Sequence, residues 1–165
     1  MRPLVVSAVL AEPVQSELNA LRARHFPPER NHLDAHVTVF HALPGELGAE
    51  VAAELAAAVR RDPPHASVGP PRLLGRGVAL RVDAPDVLGW RAAAVERWAA
   101  HLTAQDRGKR ELHVTVQNKV TPEAARALHA ALAPRPEVET RVVALALWHY
   151  DGGPWSPAGQ FTYGA

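Results

Sequence analysis

The phrase His-Val-Thr-Val occurs twice in this chain, at residues 36–39 and again at residues 113–116. Histidine takes or gives a proton near ambient pH, and a threonine hydroxyl donates a hydrogen bond to an oxyanion. Both copies read as strands, with β-branched residues, a polar loop before and a turn after. Residues i and i+2 of a strand share a face and lie about 6.6 Å apart. His36 and Thr38 therefore point one way, and Val37 and Val39 the other. His113 and Thr115 repeat this, with Val114 and Val116 as the buried side. Two such pairs facing one another supply two acid/base groups and two hydrogen-bond donors, which suits proton-coupled displacement at an oxyanion. A single copy is a weak signal, because histidine and threonine are ordinary on a half-exposed sheet face. The recurrence carries weight only if its surroundings recur as well.

They do. Residues 4–10 (LVVSAVL) form a near-continuous apolar run, the mark of a buried strand. Pro13 opens a helix, with Val14, Leu18 and Leu21 at helical spacing. Residues 25–34 are a polar loop before the first motif strand, which Phe40 extends. Leu43-Pro44-Gly45 makes a turn. Residues 46–61 read as a helix, stopped by Asp62-Pro63-Pro64. Residues 65–76 read as extended, broken at Gly69-Pro70-Pro71. The order then restarts with a strand at 78–82, and Pro85 opens a helix carrying Leu88, Val95, Trp98 and Leu102. A polar loop at 105–110 leads to the second motif. Thr121 caps a further helix with Pro122 at its first position. Residues 138–150 form a long strand, and 155–163 a short last one. HVTVFHALPGEL aligns with HVTVQNKVTPEA without a gap. The reading is an α/β (α+β) protein of duplicated βαβαβ units with pseudo-two-fold symmetry. Repeat one covers about 1–77 and repeat two about 78–165, within a single bilobal domain spanning 1–165. The motif strands are expected near the axis, with the two His-Thr pairs across a central cleft.

Composition narrows the partners. The formal net charge is +1 over 165 residues, too little for unspecific binding of long nucleic acid. There is no cysteine, hence no disulfide, thiol nucleophile or thiolate metal site. No apolar run approaches the roughly 18 residues that span a bilayer, and no secretory leader is evident, so a cytoplasmic protein without a membrane partner is expected. Arginine, alanine and proline abound while lysine occurs only as Lys109 and Lys119, a compositional bias with no functional meaning of its own.

With both motifs intact over a chain of this size, the sequence resembles the 2H phosphoesterase superfamily, defined by two His-x-Thr/Ser-x motifs. It looks most like the bacterial branch of 2′-5′ RNA ligases and cyclic phosphodiesterases. Residues 150–155 (YDGGPW) are similar to endings in that branch. The resemblance implies mainly antiparallel sheets flanking a cleft. It also implies hydrolysis of a 2′,3′-cyclic phosphate, on an RNA end or a small cyclic nucleotide, to a 2′-phosphate, and reversible 2′-5′ ligation. His36 and His113 would serve as base and acid in an order the sequence leaves open, and Thr38 and Thr115 would bind the non-bridging oxygens. No metal or cofactor is expected, because a cyclic diester carries one negative charge, and a monomer is expected.

Secondary candidates surround the motifs. Phe40 is expected on the His36–Thr38 face, as a stacking or groove-lining aromatic, and Gln117 is its counterpart. Lys119 lies just beyond. Arg107, Lys109 and Arg110 form a basic loop before the second motif, and Arg24, Arg30 and His32 stand in the matching place before the first. Trp148, His149, Tyr150 and Trp155 read as core or sheet-edge residues. A metal site at His32, His36 and His41 is disfavoured, since regular strand alternation puts His36 and His41 on opposite faces. A small cyclic phosphate such as ADP-ribose cyclic phosphate and a non-catalytic RNA-end binding module are the remaining alternatives.

Overall fold

The computed structural model describes residues 1–164. Among them, seven strands and five α-helices follow in chain order: β1 (Leu4–Leu10), α1 (Val14–His25), β2 (Val37–Leu43), α2 (Gly48–Ala58), β3 (His65–Leu73), β4 (Val78–Asp83), α3 (Pro85–Arg97), α4 (Ala104–Gly108), β5 (Leu112–Gln117), α5 (Pro122–Leu132), β6 (Val138–Tyr150) and β7 (Trp155–Thr162). The expected order of strand, helix, motif strand, helix, strand is present in both halves. One difference is α4, which overlaps the stretch 105–110 read as a loop. Thr103 caps it by accepting the Asp106 N–H at 3.2 Å, and Asp106 is fully buried.

All pairings are antiparallel. The long strand β6 organises them. Its first residues pair with β3, from Val138↔Val68 to Arg141↔His65. Its remainder pairs on the same edge with β1, from Val142↔Leu10 to His149↔Leu4, while β7 takes the other edge. Two arms thus leave β6: one continues through β1 to β2, the other through β3 and β4 to β5. They meet again where β2 touches β5 through a single described pair, Val37↔Val114. The motif strands therefore form a seam held by few backbone hydrogen bonds of its own.

Helices stitch that seam from behind. α1, from the first half, packs on β5 of the second. α3, from the second half, reaches β2 of the first, where Arg91 Nε donates to the Val39 carbonyl at 2.8 Å. Arg22 of α1 likewise donates from Nη1 to the Thr115 carbonyl at 2.8 Å. Both arginines are buried, at 6% and 4% exposure. Burial of a guanidinium is costly unless its donors are matched, and here each meets a motif-strand carbonyl next to an irregularity in the sheet.

Those irregularities are the main departure from the sequence reading. Ser7 pairs with Thr38 but Val6 pairs with Phe40, so β2 carries an extra residue there, Val39, and a second register shift follows between Val6 and Leu4. Ala79 pairs with Thr115 but Val78 pairs with Gln117, so β5 carries one extra residue, Val116. A bulge puts two residues opposite one and bends the strand. Side-chain alternation flips beyond it. Gly77 makes room for the second bulge, since a Cβ there would overlap the Gln117 carbonyl oxygen and lie 2.7 Å from Asn118 Cα. Gly77→Ala is expected to lower stability by about 1–3 kcal/mol, the range for overpacking a tight site. Urea unfolding measures this, and an unchanged midpoint would contradict it.

Candidate active site

His36 sits one residue before β2, and Thr38 lies within it. Val37 and Val39 are at most 1% exposed, as are Val114 and Val116, so the four valines form the buried side. His36, Thr38, His113 and Thr115 are half-buried on the other. Running antiparallel from Val37↔Val114, His36 falls on the Thr115 side and Thr38 on the His113 side. The two imidazoles thus lie on one diagonal and the two hydroxyls on the other. The space over the bridge is thus flanked by one threonine and one histidine from each strand.

His36 Nδ1 lies 2.8 Å from the Asp34 carbonyl. A carbonyl only accepts, so Nδ1 carries a proton and Nε2 is the free atom. Burial pushes the His36 pKa down, with the Asp34 bond opposing and Arg22 and His41 adding to the fall. His113 is pushed down to about 4, chiefly by burial and then by the nearby Lys109, Arg72 and His41, with Glu111 opposing. Lys109 is itself lowered to about 8, by burial and by Arg91. Neither histidine holds a proton firmly in the free protein, and a bound anion would favour the protonated forms of both.

The secondary candidates separate. Lys109 stands beside His113. Arg107 and Arg110 are exposed and turn to backbone carbonyls, Arg107 to Leu102 at 2.7 Å and Arg110 to Arg107 at 2.8 Å. Lys119 is exposed on the turn after β5, with a left-handed φ of 63°. Neither Arg110 nor Lys119 is among the charges acting on His36 or His113. Arg24 and Arg30 are exposed, and His32 lines a cavity beside His36.

Two expectations need correction. Phe40 does not share the face of His36 and Thr38. The bulge at Val39 turns it under the sheet, where it is 0% exposed and meets Trp98 edge-on at 5.8 Å and Trp90 at 6.1 Å. Gln117 follows the same rule after Val116, being 6% exposed with its Oε1 lacking a partner among the described residues. The residue one further along β2, His41, takes the polar face instead. His36 and His41 are thus not on opposite faces, and His41 acts electrostatically on both motif histidines. No group of three or more His, Cys, Asp or Glu in metal-holding geometry occurs among the described residues.

His41 and its anchor are what sequence reasoning missed. Asp106, in α4, accepts the His41 and Ala42 backbone N–H groups at 2.8 and 3.0 Å and lies 3.1 Å from His41 Nδ1. Arg91 Nη2 bonds the Asp106 carbonyl oxygen and stands 3.9 Å from its carboxylate. Burial pushes the Asp106 carboxyl up, yet the hydrogen bonds from His41 and Ala42 hold it below its ordinary value. The carboxylate accepts only, so His41 Nδ1 is protonated and its Nε2 is the free atom. Trp155 was also missed. It stands against the His36 ring at 4.7 Å between centroids, instead of in the core or at a sheet edge alone.

The fold has counterparts among known proteins. A family model described as "2'-5' RNA ligase superfamily" matches residues 10–154. No curated protein matches the sequence. Among solved structures, TT0787 of Thermus thermophilus is 18% identical, with a TM-score of 0.63 over 97% of this chain and 97% of that one. E. coli LigT complexed with NADP+ is 15% identical, with a TM-score of 0.60 over 99% of this chain and 98% of that one. E. coli LigT complexed with 3'-AMP is 15% identical, with a TM-score of 0.58 over 99% of each chain. At such identities the likeness establishes the fold.

Proposed function

The chain belongs to the 2'-5' RNA ligase superfamily, and from that membership we propose that it is a phosphoesterase opening 2′,3′-cyclic phosphates on RNA ends or nucleotides to 2′-phosphates. The observation that carries this reading is the crossed arrangement of His36, Thr115, Thr38 and His113 about the Val37↔Val114 bridge. In-line displacement at phosphorus needs a base where water attacks and an acid where the ribose oxygen departs, on opposite sides. One imidazole takes the proton of water as its oxygen bonds to phosphorus. The P–O3′ bond breaks, and the other imidazole delivers a proton to O3′. The products are a 2′-phosphomonoester and a free 3′ hydroxyl. Thr38 and Thr115 donate to the non-bridging oxygens as charge builds on them. With a 5′ hydroxyl attacking in place of water, the same groups join ends through a 2′-5′ linkage as the P–O3′ bond breaks, and the reverse of that step cleaves the linkage back to the cyclic phosphate. Both proton transfers are supplied by side chains, so no step calls on a metal. The 3'-AMP and NADP+ complexes of LigT support a nucleotide-sized ligand here.

The test is the pH dependence together with the regiochemistry of the product. The reactive form has one imidazole neutral and one protonated. His113 loses its proton at about 4 and His36 below its ordinary 6.5. For the free enzyme, kcat/KM should therefore rise above about pH 4 and fall before pH 6.5, as a property of the coupled pair. The bound anion favours both protonated forms, so the kcat bell should lie at higher pH. A flat profile from pH 5 to 9, or a 3′-phosphate product, would count against the mechanism.

A further inference from the structure

Pseudo-symmetry equates the two histidines in sequence, yet their surroundings differ in chemistry. Lys109 and Arg72 act on His113 but not on His36, which meets Arg22 instead, and His41 acts on both. His36 stands among aromatics: Trp155 at 4.7 Å between centroids, with Trp148 behind it at 5.9 Å. Trp148 Nε1 donates to Ser7 Oγ at 3.0 Å, which fixes its ring. These two indoles and His36 line a cavity of about 530 Å³ together with Asn19 and Asn31, a volume in the range of small-ligand sites.

Both amides are oriented by their neighbours. Asn19 Oδ1 accepts the Ala35 N–H at 3.0 Å and Gln15 Nε2 at 2.9 Å. Asn31 Oδ1 accepts Arg22 Nε at 2.9 Å. With each oxygen engaged, the Nδ2 groups are the donors left for a ligand. The cavity thus offers aromatic surface and two amide donors of settled direction, beside a catalytic imidazole.

We propose that this cavity is a nucleobase pocket, in which the base of a nucleoside cyclic phosphate packs on Trp155 and presents its ring acceptors to Asn19 and Asn31. The proposal rests on the reaction read above and adds an orientation to it. The base is attached to the ribose that carries the departing oxygen. Holding the base beside Trp155 draws the ribose to the His36 side of phosphorus. His36 Nε2–H then protonates O3′ as the P–O3′ bond breaks, and His113 takes the proton from the attacking water on the far side.

The experiment compares adenosine 2′,3′-cyclic phosphate with abasic ribose 2′,3′-cyclic phosphate, on wild type, Trp155→Ala and Asn31→Asp. Asn31→Asp keeps the oxygen that Arg22 holds and removes the donor. Wild type should prefer the nucleoside by roughly 10- to 100-fold in kcat/KM, the scale of stacking one base on an aromatic ring. That preference should fall towards one in Trp155→Ala and shrink in Asn31→Asp. Equal turnover of both substrates by wild type, or a preference untouched by Trp155→Ala, would overturn the pocket. Tryptophan emission titrated with adenosine 2′-monophosphate reads the pocket without turnover. Quenching in wild type that disappears in Trp155→Phe is expected; emission that does not respond, or equal quenching in the variant, would overturn it. Should wild type turn over neither cyclic phosphate, the reaction reading fails and the emission titration judges the pocket alone.

Discussion

Replacing His36 or His113 with alanine is expected to cut turnover of a cyclic phosphate by roughly 10²–10⁴, the usual loss when a positioned acid or base is removed. The two variants should lose similar amounts, because attack and departure belong to one displacement and neither proton transfer proceeds well without its partner. They should not unfold the protein. Both side chains are half-buried on the polar face, and the core side of each motif strand is carried by Val37, Val39, Val114 and Val116. For His36 the one described hydrogen bond is to the Asp34 carbonyl, which water can replace. Circular dichroism and urea unfolding of both variants should therefore match wild type while activity falls. Wild-type turnover in either variant would remove that histidine from the mechanism.

Asp106→Ala is expected to be the most destabilising change near the site, by about 3–5 kcal/mol, the range for breaking a buried ion pair by removing one partner. The carboxylate is fully buried and receives two backbone N–H groups and the His41 ring. Its removal strands those donors in the interior, where each unsatisfied group costs roughly 1–3 kcal/mol, and leaves the buried Arg91 without its nearest carboxylate. Asp106→Asn keeps the volume and one acceptor, so its loss should be smaller. The acid side adds a signature. The folded-state pKa of Asp106 is depressed, so its contribution is full above the ordinary carboxyl value and disappears as pH falls through the folded value. Urea midpoints of wild type and Asp106→Asn should converge on acidification. An Asp106→Ala variant within about 0.5 kcal/mol of wild type, the band for ordinary surface changes, would show that α4 and β2 are not held through this residue.

Much of this architecture is legible in the residues because its signals are local. Proline opens α3 and α5, Thr121 caps α5, and β-branched alternation marks the two motif strands. The gapless match of HVTVFHALPGEL to HVTVQNKVTPEA reports the duplication before any coordinates do. What is not legible is the pair of bulges. The extra residues Val39 and Val116 exist only relative to the strands they pair with, β1 and β4, and strict period-two counting runs through them. That count assigns Phe40 and Gln117 to the polar face and rejects His41, the reverse of what the sheet does. Asp106 is hidden for a related reason. In a stretch of polar residues it reads as solvated, and its burial comes from Arg91 and the end of β2, far away in sequence. Trp155 gains its place beside His36 only because the β6–β7 hairpin carries it there.

The most direct test of the central claim is turnover of a short RNA ending in a 2′,3′-cyclic phosphate, in EDTA, by wild type and by the His36→Ala/His113→Ala double variant. Conversion to a 2′-phosphate by wild type, with none above background in the double variant, is the predicted result. RNA that stays bound but unconverted by wild type, or conversion that survives in the double variant, would contradict the account.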